Sequence, residues 1–276
     1  ASEVVITAGG QGSGGSPAPT RSESYNYDGS SWTANPNLNT TRDYMAGFGI
    51  QTSALICGGS LPPGGPANYA NVEEWDGTTW TEIADLSSAR RLMGSAGTAP
   101  SGMVFGGDPG TLTLTEEFNK SANVITGAAW ASGGNMNTGR GRMGGFGTQT
   151  AAVASGGYIG PPGPNTNQGE NYNGTSWTVS GSPSQTNNSQ SATGTQTAGI
   201  LISGGNPYTT IVQTYNGSSY STAPFSTNTQ RGNGSACGTQ TAGLFFAGYS
   251  STTPPHTGPG TNGWSEEYDG EGFTNT

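Results

Sequence analysis

The sequence of 276 residues is long enough for one large domain or two ordinary ones, and its composition excludes several classes of protein. It contains 49 glycines, carries a formal net charge of −9, and has only 8 lysines and arginines, which are scattered. A basic surface for nucleic acid is therefore not predicted. No apolar run reaches the roughly 18 residues that a membrane span needs.

Glycine, serine, threonine and asparagine dominate the chain, a composition typical of low-complexity segments. The 6 Trp, 11 Tyr and 8 Phe, however, recur at fixed places, which favours a folded, turn-rich all-β chain. Cys57 and Cys237 each lie in an apolar run, where we expect small buried side chains rather than metal ligands.

The first repeated element is an apolar run that ends in glycines. Its copies are VVITAGG (4–10), ALICGG (54–59), GMVFGG (102–107), AAVASGG (151–157), GILISGG (199–205) and GLFFAGY (243–249). We name this strand B.

The second element is an aromatic residue followed by Asp-Gly or Asn-Gly. Its copies are Tyr27-Asp28-Gly29, Trp75-Asp76-Gly77, Tyr172-Asn173-Gly174, Tyr215-Asn216-Gly217 and Tyr268-Asp269-Gly270, with Phe118-Asn119-Lys120 as a degenerate copy. The aromatic ends strand C. Another aromatic begins strand D: Trp32, Trp80, Trp130, Trp177, Tyr220 and Phe273.

The third element, strand A, is led by an arginine and ends in a turn related to Gly-Thr-Gln-Thr. The arginines are Arg42, Arg90, Arg140 and Arg231, and Asn187 takes the corresponding place in the remaining copy. Strand C carries a glutamate that also repeats: Glu73, Glu116, Glu170 and Glu266. Repetition of both residue types indicates structural roles.

Four short strands in a repeat of 43 to 50 residues are typical of a propeller blade, because radial closure protects the strand edges. We therefore predict an all-β protein, a six-bladed β-propeller occupying residues 1–276 as a single domain. The sequence begins within a repeat, so the first blade is expected to lack its innermost strand A.

The repeated apolar run, Gly-Gly, Tyr, Trp and Arg resemble the Kelch-type propeller family across the whole chain. The Gly-Thr-Gln-Thr-Ala turns and the Tyr-[Asp/Asn]-Gly hairpins are similar to Kelch-like repeat proteins of marine bacteriophages, notably those of cyanobacteria. The Kelch resemblance implies ring closure by overlap of the two chain ends. We accordingly expect either a longer native polypeptide or a strand donated by a neighbouring chain.

Asp-Gly or Asn-Gly between two strands predicts a hairpin with a type I′ turn. Since aspartate and asparagine replace one another at this position, a shared catalytic carboxylate is not indicated. The predicted turn residues are Asp28, Gly29, Asp76, Gly77, Asn173, Gly174, Asn216, Gly217, Asp269 and Gly270. We expect Trp32 and its equivalents to pack between blades, and the Gly-Gly pairs to allow close backbone approach.

Length variation is concentrated between strands B and C. This segment ranges from 10 to 20 residues, whereas the segment from the strand D aromatic to the next Gly-Gly has 27 or 28. Alternation places the B–C and D–A loops on one face, and variable loops on a rigid scaffold are typical binding sites. The candidate ligand-binding residues are Tyr69, Tyr158, Tyr208, His256 and Trp264.

Enzymatic activity is not expected, and no catalytic, metal-binding or cofactor-binding residue is assigned. A copper site of the kind found in Kelch-type oxidases needs several His and Tyr ligands, whereas His256 is the single histidine. The arginines and glutamates repeat by blade instead of clustering.

Two functional hypotheses remain. The first is a non-enzymatic virion or extracellular-appendage protein, such as a tail fibre or capsid decoration, whose B–C loops bind a host-surface glycan or receptor. The second is a purely structural propeller that stacks in a fibre or lattice without binding a ligand. Both imply other virion or appendage subunits as partners in a homo- or hetero-oligomer.

Overall fold

The structure is a computed structural model that describes residues 5–11, 20–61, 68–120, 129–160, 163–205, 207–248 and 265–275. Within these ranges 23 β-strands form six antiparallel sheets, each built from strands consecutive in the chain, which we name blades 1 to 6. No helix long and apolar enough to cross a membrane occurs in the described part of the chain.

Blades 1 to 3 contain β1 (Val5–Gln11), β2 (Thr20–Tyr27), β3 (Trp32–Asn35); β4 (Ala46–Ile50), β5 (Ser53–Cys57), β6 (Val72–Trp75), β7 (Trp80–Ile83); and β8 (Gly94–Thr98), β9 (Ser101–Phe105), β10 (Thr115–Asn119), β11 (Ala129–Ser132). Blades 4 to 6 contain β12 (Gly144–Thr148), β13 (Ala151–Ser155), β14 (Gly169–Tyr172), β15 (Trp177–Ser180); β16 (Ser191–Thr195), β17 (Ala198–Gly204), β18 (Thr209–Tyr215), β19 (Tyr220–Ser226); and β20 (Ser235–Gly238), β21 (Gly243–Phe246), β22 (Ser265–Tyr268), β23 (Phe273–Asn275).

The six blades form a closed ring. Strands β4, β8, β12, β16 and β20, the A strands of blades 2 to 6, lie side by side. Blade 6 reaches blade 1 through a hydrogen bond of 3.2 Å from the Tyr27 hydroxyl to the Glu267 carboxylate, and the Trp32 and Phe246 rings lie 5.6 Å apart. The predicted six-bladed β-propeller is confirmed. Blade 1 has three strands among the described residues, as expected.

Four of the blades each contain a buried arginine–glutamate pair. The N–O distances are 2.9 Å for Arg42–Glu73, 2.6 Å for Arg90–Glu116, 3.0 Å for Arg140–Glu170 and 2.7 Å for Arg231–Glu266. No side chain in these pairs is more than 3% exposed. Because burial disfavours the charged form, it lowers the pKa of each arginine.

Each pair connects several segments of its blade. In blade 2, Arg42 also donates hydrogen bonds to the carbonyl oxygens of Gly58, 3.0 Å away, and Asn71, 2.6 Å away. The Glu73 carboxylate accepts the backbone N–H of Asn39 at 2.7 Å. The pair therefore joins the D–A loop before strand A to the end of strand B and the start of strand C.

Blade 5 replaces the charged pair with two amides, Asn187 and Gln213, which are 1% and 3% exposed. Gln213 donates to the Ser184 hydroxyl, whereas the Asn187 side-chain oxygen has no hydrogen-bond partner among the described residues. A cavity of about 10 Å³ lies beside these amides, close to the least volume that holds one water molecule. In blade 5 both charged residues of the pair are therefore replaced by neutral ones.

Aromatic side chains fill the spaces between neighbouring blades, as predicted. The Trp177 ring lies 4.8 Å from that of Phe105 in the preceding blade, and its indole N–H donates to the Thr115 hydroxyl at 3.0 Å. Trp130 donates across to the Ala84 carbonyl at 3.1 Å. The strand D aromatics therefore bind adjacent sheets to one another.

Glutamines of the A–B turns provide a second link between blades, which the sequence interpretation missed. Gln240 donates to the carbonyl oxygens of Gly199 and Tyr215 in the preceding blade, at 2.8 and 2.9 Å. Gln149 and Gln196 make the corresponding contacts. Blade 3 carries Ala99 at this position, buried without an amide to donate.

The glycine pairs lie where successive blades approach closely. Gly58 has a φ of 62°, and a Cβ atom there would lie 2.4 Å from the Arg90 carbonyl of the next blade. The prediction of close approach is confirmed. In blade 5 the corresponding pair is Ser203–Gly204, one residue earlier than the sequence pattern indicated, with a φ of 58° at Ser203.

Cys57 and Cys237 form no disulfide bond with each other, and only Cys57 is buried; Cys237 is half-buried. Burial raises the pKa of the Cys57 thiol. The prediction of a buried side chain is therefore confirmed for Cys57 and wrong for Cys237, which lies on the short strand β20.

The contribution of the Arg140–Glu170 pair to stability can be measured by introducing the Asn and Gln that blade 5 carries at the same two positions. Arg140→Asn or Glu170→Gln alone leaves one buried charge unpaired and is expected to lower the free energy of unfolding by about 3–5 kcal/mol. The double variant should lose about 0.5–3 kcal/mol less than the sum of the two single variants. Denaturant unfolding curves measure all three.

The matched control is Arg21→Asn, because the Arg21–Glu23 pair is 46% and 38% exposed. Its loss should change stability by only about 0–1 kcal/mol. Additive single substitutions in blade 4, with no coupling between Arg140 and Glu170, would contradict the assigned role of the pair.

Candidate functional site

The loops divide between the two faces of the disc as predicted. On one face, Gly59 of a B–C loop donates its N–H to the Arg90 carbonyl of a D–A loop at 2.9 Å. On the opposite face the short turns meet: a Cβ atom on Gly77 of a C–D turn would lie 3.4 Å from the Thr52 carbonyl of an A–B turn. We name these the B–C face and the short-turn face.

The Asp-Gly and Asn-Gly turns belong to the short-turn face and are structural. Asp28 accepts the backbone N–H groups of Ser30 and Ser31, both at 2.9 Å, and Asn173 accepts the corresponding groups at 3.0 and 2.9 Å. A side-chain oxygen is all that this contact requires, which explains the interchange of aspartate and asparagine.

The prediction of a type I′ turn is wrong. Tyr27 pairs with Trp32, so four residues connect the strands, and only the glycine, Gly29 with a φ of 94°, adopts a positive φ in this loop. The same holds for the turns at Asp76, Asn173, Asn216 and Asp269. The hydrogen bonds from the loop N–H groups to the Asp or Asn side chain stabilise the loop, so a second residue with a positive φ is not needed.

Five equivalent residues form a hydrogen-bonded chain around the propeller axis on the B–C face. Each follows the repeat's Arg or Asn by two positions, and each one after the first donates its backbone N–H to the carbonyl of the preceding member. The bonds are Leu92 to Tyr44 at 2.9 Å, Arg142 to Leu92 at 3.0 Å, Ser189 to Arg142 at 2.7 Å and Asn233 to Ser189 at 3.0 Å. We name these five residues the axial ring.

Each member of the axial ring has a left-handed backbone, with φ between 54° and 57°. Such a conformation costs about 1–3 kcal/mol for a residue other than glycine, and such residues cluster at functional sites. The backbone bonds are the same in each blade, whereas the side chains are tyrosine, leucine, arginine, serine and asparagine. The strained backbone thus supports chemically different groups around one axis.

A cavity of about 440 Å³ opens at the axial ring over blades 4 to 6. Its walls contain an arginine, a tyrosine, several amides and a hydroxyl. The lining residues are Arg142, Asn188, Ser189, Gly205, Pro207, Tyr208, Gln230 and Asn233. The B–C connection of blade 5 is short, since β17 ends at Gly204 and β18 begins at Thr209, and so leaves room for the cavity.

Arg142 gives the cavity a positive charge in a chain whose net charge is −9. The residue is exposed, and none of the ion pairs among the described residues includes it. The neighbouring Asn188 is held in place, because its amide nitrogen donates to Asn165 at 2.7 Å and its oxygen accepts the Ser189 hydroxyl at 3.0 Å. The site therefore combines one free cation with oriented amides.

The structure brings only part of the predicted binding set to this cavity. Tyr208 lines it. Tyr69 and Tyr158 are half-buried in the B–C loops of blades 2 and 4, and neither lines the cavity. His256 and Trp264 lie outside the described residues. Tyr208 is thus the predicted binding residue whose position fits a ligand site.

Arg142 and Asn233 were not among the candidate binding residues of the sequence interpretation. The sequence signal that could have identified them is one position whose side chain differs in chemistry from blade to blade inside an otherwise repeated segment. Among the described residues, no group of three or more His, Cys, Asp or Glu side chains could hold a metal ion.

Comparison with known proteins supports the fold alone. A solved structure described as "Structure of YjhT" is similar with a TM-score of 0.71 at 12% identity, over 98% of this chain and 97% of that one. No family profile matches the sequence, and no curated protein matches it. The class that fold and comparison define is the six-bladed β-propeller.

The turn aspartates make stability depend on pH. Hydrogen bonds from the Ser31 backbone and from Ser30 lower the pKa of Asp28 to about 2, and those from Thr78 and the Thr79 backbone do the same for Asp76. A lowered folded-state pKa means that the stabilisation is complete above the unfolded value of 3.8 and is lost as the pH falls through about 2.

The double variant Asp28→Asn/Asp76→Asn keeps the acceptor oxygens and removes the titration. We expect it to lose less stability than the natural sequence between pH 4 and pH 2, measured by denaturant unfolding at each pH. The reverse variant, Asn173→Asp/Asn216→Asp, should lose more. Identical pH profiles for all three proteins would show that these contacts do not stabilise the folded state.

Proposed function

We propose that this chain is a non-enzymatic binding protein of a virion or an extracellular appendage, and that it attaches to a host-surface glycan through the B–C face. The observation that carries the proposal is the axial cavity, where an unpaired arginine, oriented amides and Tyr208 converge on a face with loops of variable length. Its volume of about 440 Å³ lies within the usual range for small-ligand sites.

The chemistry of the cavity suits carbohydrate. Amide groups both donate and accept hydrogen bonds, as sugar hydroxyls require, and an aromatic ring such as that of Tyr208 packs against the apolar face of a sugar. Arg142 adds a planar fork of hydrogen-bond donors. The short-turn face lacks this variety, because Asp28 and its equivalents make the same local contact in blade after blade.

The assignment to a virion or appendage is supported by the resemblance of the repeats to Kelch-like repeat proteins of marine bacteriophages. Such a protein works as part of a homo- or hetero-oligomeric assembly with other subunits. The purely structural alternative, a propeller that stacks or decorates a lattice, uses the same fold without a ligand in the axial cavity.

The test is binding of the labelled protein to arrayed glycans and to host cells. Loss of one charged hydrogen-bond partner corresponds to about 1.5–3 kcal/mol, so Arg142→Ala should weaken glycan binding by about tenfold or more. Tyr208→Ala should weaken it similarly. The matched control is Ile50→Ala, because Ile50 is 63% exposed on the opposite face, and its binding should be unchanged.

Two results would contradict the proposal. The first is the absence of any retained glycan together with normal host adsorption by particles that lack the protein. The second is binding that Arg142→Ala and Tyr208→Ala leave intact. Filaments or lattices formed by a protein that binds no glycan would favour the structural alternative.

A further inference from the structure

We propose that the ligand of the axial cavity is anionic, and that Arg142 binds a carboxylate or sulfate group carried by the sugar. This inference rests on the proposed glycan-binding function and narrows it to acidic glycans. Both groups present at least two negatively charged oxygens, to which the guanidinium fork donates paired hydrogen bonds.

Arg142 differs from the other cationic side chains of the protein. Seven of the eight lysines and arginines form an ion pair with an aspartate or glutamate. These are the four buried pairs described above, together with Arg21–Glu23, Arg91–Asp108 and Lys120–Glu74. Arg142 forms none among the described residues, which include every acidic residue of the chain except Glu3. The ligand is therefore the expected source of its counterion.

The B–C loop of blade 3 shows what blade 4 lacks. In blade 3 the Arg91 guanidinium lies 3.1 Å from the Asp108 carboxylate, and the backbones of these two residues form a β-bridge. The corresponding bridge in blade 4 joins Gly141 to Tyr158. Tyr158 thus takes the place of the aspartate, and the loop of blade 4 offers Arg142 no carboxylate at this position.

The charges of the surrounding surface also favour an anion. None of the residues that line the cavity in the described part of the chain is an aspartate or a glutamate. On the same face, Asp43 accepts the Ser60 hydroxyl at 2.6 Å and Asp108 is paired with Arg91, both in blades 2 and 3. A bound anion is therefore attracted by Arg142 and meets no negative charge in the cavity wall.

Two amides provide further hydrogen-bonding groups beside Arg142. Asn188 is already engaged with Asn165 and Ser189. Gln230 and Asn233 also line the cavity, and their side chains form no hydrogen bond within the described ranges. Each amide has two N–H donors and an acceptor oxygen, so these side chains suit both the oxygens of an anion and the hydroxyls of the same sugar.

The backbone holds the charged residue in place before the ligand arrives. The Arg142 N–H donates to the Leu92 carbonyl at 3.0 Å, and the Arg142 carbonyl accepts the Ser189 N–H at 2.7 Å. Only the side chain therefore has to be ordered when the anion binds, which reduces the entropic cost of binding.

The test compares each acidic glycan with its own neutral derivative. The two arms are a uronic-acid glycan against its carboxyl-reduced form, and a sulfated glycan against its desulfated form, so they distinguish the two anionic groups. In at least one arm the neutral derivative should bind about tenfold more weakly or worse, as expected for loss of a charged hydrogen-bond partner. Added salt should weaken binding of the acidic form alone.

Substitution of Arg142 assigns the preference to this residue. Arg142→Gln keeps a hydrogen-bonding amide and removes the charge, so this variant should bind the acidic glycan and its neutral derivative about equally. Arg142→Lys keeps the charge without the planar fork and should retain part of the preference.

The matched control is Arg21→Gln, which removes one positive charge from an exposed arginine that does not line the cavity. It should keep the full preference for the acidic glycan. Circular dichroism confirms that all three variants are folded.

The outcomes separate this inference from the function on which it rests. Neutral derivatives that bind as tightly as the acidic glycans, with binding that Tyr208→Ala weakens and Arg142→Gln does not, would overturn the anionic ligand and leave glycan binding intact. A preference for acidic glycans that survives in Arg142→Gln would show that the anion binds elsewhere. If no glycan of either kind is retained, the proposed function and this inference are both wrong.

Discussion

The buried arginine–glutamate pair is the contact on which four of the five complete blades depend. The sheets are made largely of glycine, serine, threonine and alanine, and such side chains supply little apolar area per strand. One Arg and one Glu join strands B and C to the D–A loop in a buried site. The desolvation of two charges is offset by the hydrogen bonds of both groups, although the Nε atoms of Arg42, Arg90 and Arg140 have no hydrogen-bond partner among the described residues.

Blade 5 shows which property of the arginine–glutamate pair a blade requires. Asn187 and Gln213 lack charge, yet the blade keeps four strands and the usual pairing of strands B and C from Gly199 to Ile202, with a register shift only beyond it. The blade tolerates loss of both charges together and acquires a small cavity where the guanidinium would lie. Geometric fit among strands, rather than charge itself, is therefore the requirement, and the ion pair is one way to meet it.

Much of the architecture follows from the sequence because each element occurs several times. Strand order, the two faces, the aromatic packing and the three-stranded first blade were predicted from the repeats. The role of the turn glutamines and the left-handed axial ring could not be, since both depend on how one blade lies against the next. The turn type was wrong because the Asp28 carboxylate, acting within its own loop, removes the need for a second positive φ.

The contacts between blades also explain how one position can vary freely. The axial ring is held by backbone N–H and C=O groups, so Tyr44, Leu92, Arg142, Ser189 and Asn233 share one conformation without sharing a side chain. Stability is thereby supplied by atoms that every residue possesses, and the side chains are left to face solvent or a ligand. In blade 5 the short B–C connection uncovers this position, which is why the variable chemistry becomes accessible as a cavity there.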